Sequence, residues 1–317
     1  MMKIAVTGAS GFIGEALIRA LAENGSAIIV LSRRRPKICD EFPSLEYKYC
    51  DLELIEAYEL SDHLKGVHTL YHCAAENNDA SKMEEVNVVG TLKLVRAASG
   101  LIKHWVQVST VGVYGARHDG LITEDTPIAP MNIYELTKAK SDNIVIGAAN
   151  EAGFTCAILR PSKVYGPKMR NQVLYQLINL VDKKLFFFIG ATGSSANYIH
   201  ISSVVDALIK CGTISPECPI IYNLSDYSTI ENFVEIISKA LGKNLLSLRI
   251  SELWARRLAK LTSWLPFNPL TSQRIDAMVK RARYSSKKIE RDLGYVHKIS
   301  MTAGLIDLVE HYKAQKI

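Results

Sequence analysis

No apolar run in this chain reaches the ~18 residues that a membrane-spanning helix needs, so none is expected. The first strand pattern begins at residue 3, which leaves no room for a secretory leader. Close cysteine pairs are missing too. The six cysteines, at 39, 50, 73, 156, 211 and 218, show neither CxxC nor metal-ligand spacing. They read as reduced, mostly buried thiols of a cytoplasmic protein without a metal site. Repeats and low-complexity tracts are absent. The net charge of +6 over 317 residues is modest and diffuse, compatible with anionic small ligands but too weak an argument for nucleic acid. The chain is 48% hydrophobic with a mean hydropathy of +0.06, ordinary for a globular protein. Its length allows a large core divided between two unequal domains.

What is present starts at once, with KIAVTGASGFIG over residues 3–14. Ile4, Ala5 and Val6 form an apolar run too short for a helix and bounded by glycine, the mark of a buried parallel strand. Gly8, Gly11 and Gly14 follow at three-residue spacing, and Phe12, Ile13 and the residues to Leu21 take up a helical period. A strand, a tight glycine turn and a helix start make a dinucleotide-binding fingerprint. Gly8 turns where a side chain would clash, Gly11 lets the backbone approach a pyrophosphate, and Gly14 lets the helix lie close on the strand. The helix N-terminus then offers N–H groups and a positive dipole to the phosphates.

Ala27–Leu31 (AIIVL) reads as a second strand, and the residue after it governs the adenosine end. A carboxylate there accepts a ribose 2′-hydroxyl; this chain has Ser32 followed by Arg33, Arg34 and Arg35. A guanidinium binds a 2′-phosphate where a carboxylate would repel it, so NADP(H) is favoured over NAD(H). Asp51 and Leu52 end a third strand, where an adenine edge would lie. A fourth strand runs into His72, Cys73, Ala74 and Ala75, small residues suited to lying against a flat cofactor, with His72 read as a packed side chain. Asn87 falls inside a helix expected over 83–98, and a fifth strand, Trp105–Ser109, ends in the hydroxyl pair Ser109 and Thr110. Tyr134 and Lys138 are four apart in a helix expected to reach Ala149, hence on one face. An ammonium beside a phenol lowers a pKa that is otherwise about 10, giving the acid/base that an alcohol–carbonyl interconversion requires.

With these motifs in order, the chain resembles an extended short-chain dehydrogenase/reductase of the NAD-dependent epimerase/dehydratase group. TGASGFIG, HCAA at 72–75, NVVGT at 87–91, VSTVGVYG at 108–115, YELTK at 134–138 and LRPSKVYGP at 159–167 carry the likeness. NYIHISSVVDAL at 197–208 and RYSSKKIERDLGY at 283–295 extend it over essentially the whole chain. The resemblance implies an α/β fold, a Rossmann-type doubly wound parallel sheet with a smaller, discontinuous C-terminal substrate part. The dinucleotide domain would occupy 1–167, with 197–224 returning to it; 168–196 and 225–317 would bind substrate. It further implies Tyr134 as acid/base, Lys138 on the nicotinamide ribose, and Thr110 with Ser109 on the reacting oxygen. A homodimer through helices at 83–98 and 134–149 is also implied, with Thr91, Leu94, Val95, Ile144, Val145 and Ala148 as its face.

Departures from the family's patterns bear on the substrate. Val111-Gly112 follows Thr110 where 4,6-dehydratases carry Asp-Glu, which argues against dehydration. Lys163 replaces an asparagine that touches a substrate phosphate, and Ala196-Asn197 replaces an Arg-Asp pair. Lys163, Lys168 and Arg170 can restore some charge. A sugar, nucleotide- or lipid-linked, is the first reading of the substrate. A hydrophobic alcohol of hydroxysteroid or flavonol type is the second, on the shared RPS at 160–162, and a non-catalytic dinucleotide sensor is the third. Leu253–Phe267 carries an apolar stripe with tryptophans beside Arg256, Arg257 and Lys260. It reads as a helix over the substrate cleft in preference to a peripheral membrane contact. Phe186–Phe188 reads as core strand.

Overall fold

The computed structural model describes residues 2–116, 119–151, 153–169, 172–214, 216–217, 219–244, 247–262 and 271–315. In β1 (Lys3–Thr7) successive side chains are buried on opposite sides: Val6 under one helical layer and Ala5 under the other. Parallel sheets covered on both faces produce such strands. The strands that follow are β2 (Ala27–Ser32), β3 (Glu46–Tyr49), β4 (Val67–His72), β5 (His104–Val108), β6 (Leu121–Ile122) and β7 (Thr155–Pro161). Then come β8 (Lys163–Tyr165), β9 (Phe188–Ile189), β10 (Ser195–His200), β11 (Ile220–Leu224), β12 (Asp226–Thr229), β13 (Arg249–Ile250) and β14 (Arg283–Tyr284). The large sheet among the described residues has seven strands, all paired parallel, in the order β11-β7-β5-β4-β1-β2-β3. Strand order reverses between β1 and β4, and at such a switch point a crevice opens beyond the strands' carboxyl ends.

The helices are α1 (Phe12–Glu23), α2 (Ile38–Glu41), α3 (Ala57–Leu64), α4 (Gly90–Ala98), α5 (Ile133–Glu151) and α6 (Gln172–Asp182), then α7 (Ile201–Gly212), α8 (Ile230–Ala240), α9 (Glu252–Leu261), α10 (Ser272–Val279), α11 (Lys287–Leu293) and α12 (Met301–Ala314). α1 and α7 cover one face of the large sheet; α3, α4 and α5 cover the other. A smaller sheet, β12-β10-β8, packs with α6, α8 and α12 around Ile178, Phe233 and Leu305. There Phe186 and Phe188 are buried core, their rings T-shaped at 5.0 Å.

Three local features differ from the pattern read in the sequence. The run at 83–98 is not one α-helix: Glu85–Val89 forms a π-turn ahead of α4, and Asn87 within it is buried. Thr91, Leu94, Val95 and Val145 are buried against the large sheet, and Ile144 and Ala148 pack on the same cluster. Four of the six residues expected to face a second copy are thus buried in the chain's own fold, while Ile144 and Ala148 keep part of their surface. In α9 the polarity is inverted: Ala255 and Ala259 pack inward against Ile189 and Ile275. Leu253, Trp254, Leu258 and Leu261 are 59, 60, 42 and 71% exposed. The large apolar side chains of α9 thus do not close over a cleft. Trp264, Leu265 and Phe267 lie outside the described residues, as does Arg170. No helix among the described residues is long and apolar enough to cross a membrane, and they contain no cluster of three potential metal-ligating side chains.

Candidate active site

The glycine turn is built by direct backbone contact. Gly8 has φ +68°, and a Cβ there would come within 2.5 Å of Ala74 N. A Cβ on Gly14 would press into the Gly8 carbonyl, so the first turn of α1 rests on the turn itself. Gly11 N donates to Gly8 O at 2.9 Å, and Gly11 caps α1 without a side chain. The N-terminal end of α1 at Phe12 and Ile13, both half-buried, thus faces the crevice with backbone N–H groups. A cradle that any added Cβ would fill, at a helix N-terminus, fits the pyrophosphate of a dinucleotide.

The far wall of the cradle is the end of β4. His72 is buried, with Nδ1 2.7 Å from Thr7 Oγ1 and Nε2 3.2 Å from Thr91 Oγ1. Burial first, and Lys138 second, push its pKa down to about 3. Ala74 N donates to Thr7 Oγ1 at 3.3 Å, while Ala75 is exposed. Asn87 clamps the next residue: its Oδ1 accepts from Glu76 N at 2.7 Å and its Nδ2 donates to Glu76 O at 2.9 Å. The same Nδ2 donates to Thr137 Oγ1 at 3.1 Å, tying this loop to α5.

At the adenosine end Ser32 is buried and its hydroxyl donates to Arg34 O. Arg35 is tied back to the Cys39 carbonyl at 3.2 Å, whereas Arg33 and Arg34 are exposed. The Glu76 carboxyl is held below the usual range by the Asn78, Asp79 and Asn77 N–H groups, and Arg33 adds to this. A carboxylate therefore stands near Arg33, which the sequence order did not suggest. Asp51 caps its own turn, accepting from Glu53 N at 3.1 Å, and Leu52 is buried against Gly90.

The chemistry-bearing hydroxyls meet α5. Thr110 caps the 3₁₀ turn Val111–Tyr114, its Oγ1 accepting from Gly112 N at 3.0 Å. Ser109 is buried, and its hydroxyl donates to Asp142 Oδ2 at 2.7 Å. Tyr134, Lys138 and Asp142 recur every four residues on one face of α5. Asp142 Oδ2 also accepts from Arg160 Nε at 3.2 Å and Nη2 at 3.1 Å. Arg160 Nη1 donates to Tyr114 OH at 2.9 Å, which donates to Asn223 Oδ1 at 2.9 Å. Burial pushes the Asp142 carboxyl up, with Arg160 and Lys138 pulling it back. Burial likewise pushes Lys138 down against the pull of Asp142. Tyr134 is pushed up to about 12 by burial, then by Asp142 and Glu135. In the chain by itself, lost hydration and the two nearby carboxylates set the direction for this phenol.

Lys163 is exposed on β8, its Nζ 5.5 Å over the Tyr198 ring. Close to it Lys280 Nζ donates to Tyr284 OH at 2.9 Å, and burial followed by Lys163 pushes the Lys280 ammonium down. Asp142, Arg160, Glu135, Lys280 and Tyr284 were not read as site residues. Asp142 had a signal, as the third rung of the four-residue ladder; Lys280 and Tyr284, some 150 residues away in sequence, had none.

Residues 4–225 match the family described as the NAD dependent epimerase/dehydratase family. The chain belongs to that family. Among the relatives of this family member is UDP-glucose 4-epimerase of Vibrio cholerae, 28% identical over 225 residues, 66% of either chain. Sterol demethylase protein B of Methylococcus capsulatus is 33% identical over 175 residues, so that match spans 52% of each chain. DesIV, a dTDP-glucose 4,6-dehydratase of Streptomyces venezuelae solved with NAD bound, is 25% identical. It covers 99% of this chain and 98% of its own at a TM-score of 0.78. Names of both kinds, epimerase and dehydratase, occur among these relatives, so the comparisons give no support for setting dehydration aside.

Proposed function

We propose that this family member moves a hydride at a secondary alcohol or ketone of a sugar, nucleotide- or lipid-linked, as a nicotinamide-dependent epimerase or oxidoreductase. The observation that carries this reading is one juxtaposition. Tyr134 and Lys138 share a face of α5, the helix that packs on the turn capped by Thr110, beyond the carboxyl end of a strand in the sheet that holds the glycine cradle. When bound, the dinucleotide supplies the hydride acceptor or donor, with Gly8, Gly11, Phe12, Ile13 and Gly14 holding its phosphates. Asn87 fixes the loop at Ala74 and Ala75 against which the cofactor would lie. Tyr134 exchanges the hydroxyl proton of the substrate, Thr110 hydrogen-bonds the reacting oxygen, and Lys138 supplies fixed positive charge from beneath. In this reading 1–167, rejoined at 197–224, holds the cofactor, and 168–196 with 225–317 faces it with substrate-binding groups such as Lys280. Val111 and Gly112 bring no carboxylic acid of their own after Thr110, but the Glu135 carboxylate stands beside that turn, so water loss stays among the outcomes to be tested.

The test is to incubate the protein with NAD⁺ or NADP⁺ and UDP-glucose, UDP-glucuronic acid or dTDP-glucose. Absorbance at the reduced-nicotinamide band follows hydride transfer, and NMR of the sugar separates epimer, ketone and dehydrated product. Epimer or ketone is expected. Replacing Tyr134 by Phe should lower turnover ~10²-fold or more with cofactor binding intact. Near-normal turnover in that variant would remove Tyr134 from the mechanism. The match to sterol demethylase protein B favours a second reading, oxidation of an apolar alcohol such as a 3β-hydroxysteroid. The same assay with that substrate separates the two.

A further inference from the structure

We propose that Glu135 is a substrate-binding residue that selects a polyhydroxylated substrate, accepting a hydrogen bond from a hydroxyl beside the one that reacts. The proposal rests on the function just given and narrows it, because it disfavours the apolar alcohol.

Glu135 follows Tyr134 in the first turn of α5, yet its side chain lies across the Val111–Tyr114 turn. The point from which a side chain on residue 112 would start is 3.1 Å from Glu135 Cγ and 3.4 Å from its Oε1. That same point is 3.3 Å from Thr110 Oγ1. The carboxylate thus stands in the space that Gly112 leaves open, next to the hydroxyl assigned to the reacting oxygen. One carboxylate oxygen is fixed, since Oε2 accepts from Met131 N at 2.8 Å. Oε1 is the oxygen turned toward Gly112.

The charge of Glu135 reaches Tyr134 on its own helix, and Lys280 and Tyr284 on the far side. It is therefore the group shared by the proton-transfer pair and the C-terminal segment. Lys280, hydrogen-bonded to Tyr284, and Lys163 complete a polar wall of one carboxylate, two ammoniums and a phenol. An apolar ring pressed on this wall would strip water from each group without replacing its hydrogen bonds. A sugar carries donors for the carboxylate and acceptors for the lysines. Discrimination of this kind is strong because the site's own polar groups go unpaired with the wrong ligand.

The experiment compares wild type with Glu135→Gln, Glu135→Asp and Glu135→Leu on UDP-glucose, UDP-glucuronic acid, dTDP-glucose and a 3β-hydroxysteroid. Circular dichroism and reduced-nicotinamide fluorescence report fold and cofactor binding separately. Glu135→Gln keeps the acceptor for Met131 N, so it should fold, bind cofactor normally and raise KM for the sugar at least tenfold. Glu135→Asp withdraws the charge from Gly112 and should fall between. Glu135→Leu should lose sugar turnover and gain on the steroid. Sugar turnover in wild type with an unchanged KM in Glu135→Gln overturns this proposal alone. A wild type active on the steroid only, or on none of the four, overturns the sugar reading and this inference with it.

Discussion

At the scale of single residues the sharpest expectation concerns the cofactor's adenosine end. Ser32 offers no carboxylate to a 2′-hydroxyl, and its own hydroxyl is engaged with Arg34 O. Arg33 is exposed beside it and free of the backbone tie that holds Arg35. A charge-assisted contact contributes ~1.5–3 kcal/mol, on the order of tenfold to hundredfold in affinity. NADPH is therefore expected to bind more tightly than NADH, Arg33→Ala to erase most of the difference, and Ser32→Asp to reverse it. Titrating both cofactors by fluorescence decides this, and equal affinities in wild type would reduce the arginines to a solvated turn. How far residues were legible depends on how local their partners are. Gly11 and Gly14 declare themselves because the backbone they must clear, at Gly8, is local in sequence, and Gly8 because its own turn takes φ +68°. Glu135 does not, because its meaning comes from an absent side chain 23 positions away at Gly112.

At the scale of elements the decisive object is α5, which joins the face carrying Tyr134 and Lys138 to the sheet through a buried ion pair. Asp142 and Arg160 connect α5 to β7 at 3.1 Å, with side chains 0 and 2% exposed. Removing one partner of such a pair leaves a buried charge unmet, typically at ~3–5 kcal/mol. Asp142→Asn should lower unfolding stability by about that much, measured from the urea midpoint. A midpoint within the error of wild type would mean that Arg160 finds another partner. Core strands and most helices were readable from period alone, because each buries a continuous apolar pattern. Two elements were not. The π-turn at Glu85–Val89 lies within a run that reads as α-helical, and it carries the buried Asn87, bonded to Glu76 and Thr137, partners that the period does not show. α9 carries an amphipathic pattern, but the small face packs and the large face does not, a choice set by tertiary space rather than by period.

At the scale of the whole molecule, pH acts through histidines buried in neutral form. His72 is lowered to about 3, and burial also lowers His104 and His200. Their ordinary value is about 6.5, so the unfolded chain takes up protons first as pH falls. The stability they permit is complete above that value and declines below it, for His72 until about pH 3. The urea midpoint should therefore drop between pH 7 and pH 5, and His72→Gln should flatten part of that slope. An unchanged slope would assign the acid sensitivity to other groups.

The glycine cradle has a kinetic meaning. Helix start, turn and the end of β4 touch backbone to backbone, with no side chain between Gly14 and Gly8 or between Gly8 and Ala74. No side chain in that stack has to change rotamer when an anion arrives. In the proposed function, capture of the phosphates is then expected to be a collision with a surface already in its final shape, its rate set by diffusion and charge rather than by rearrangement. Selectivity must then be exercised later, by the softer polar wall around Glu135 and Lys280, after the dinucleotide is in place.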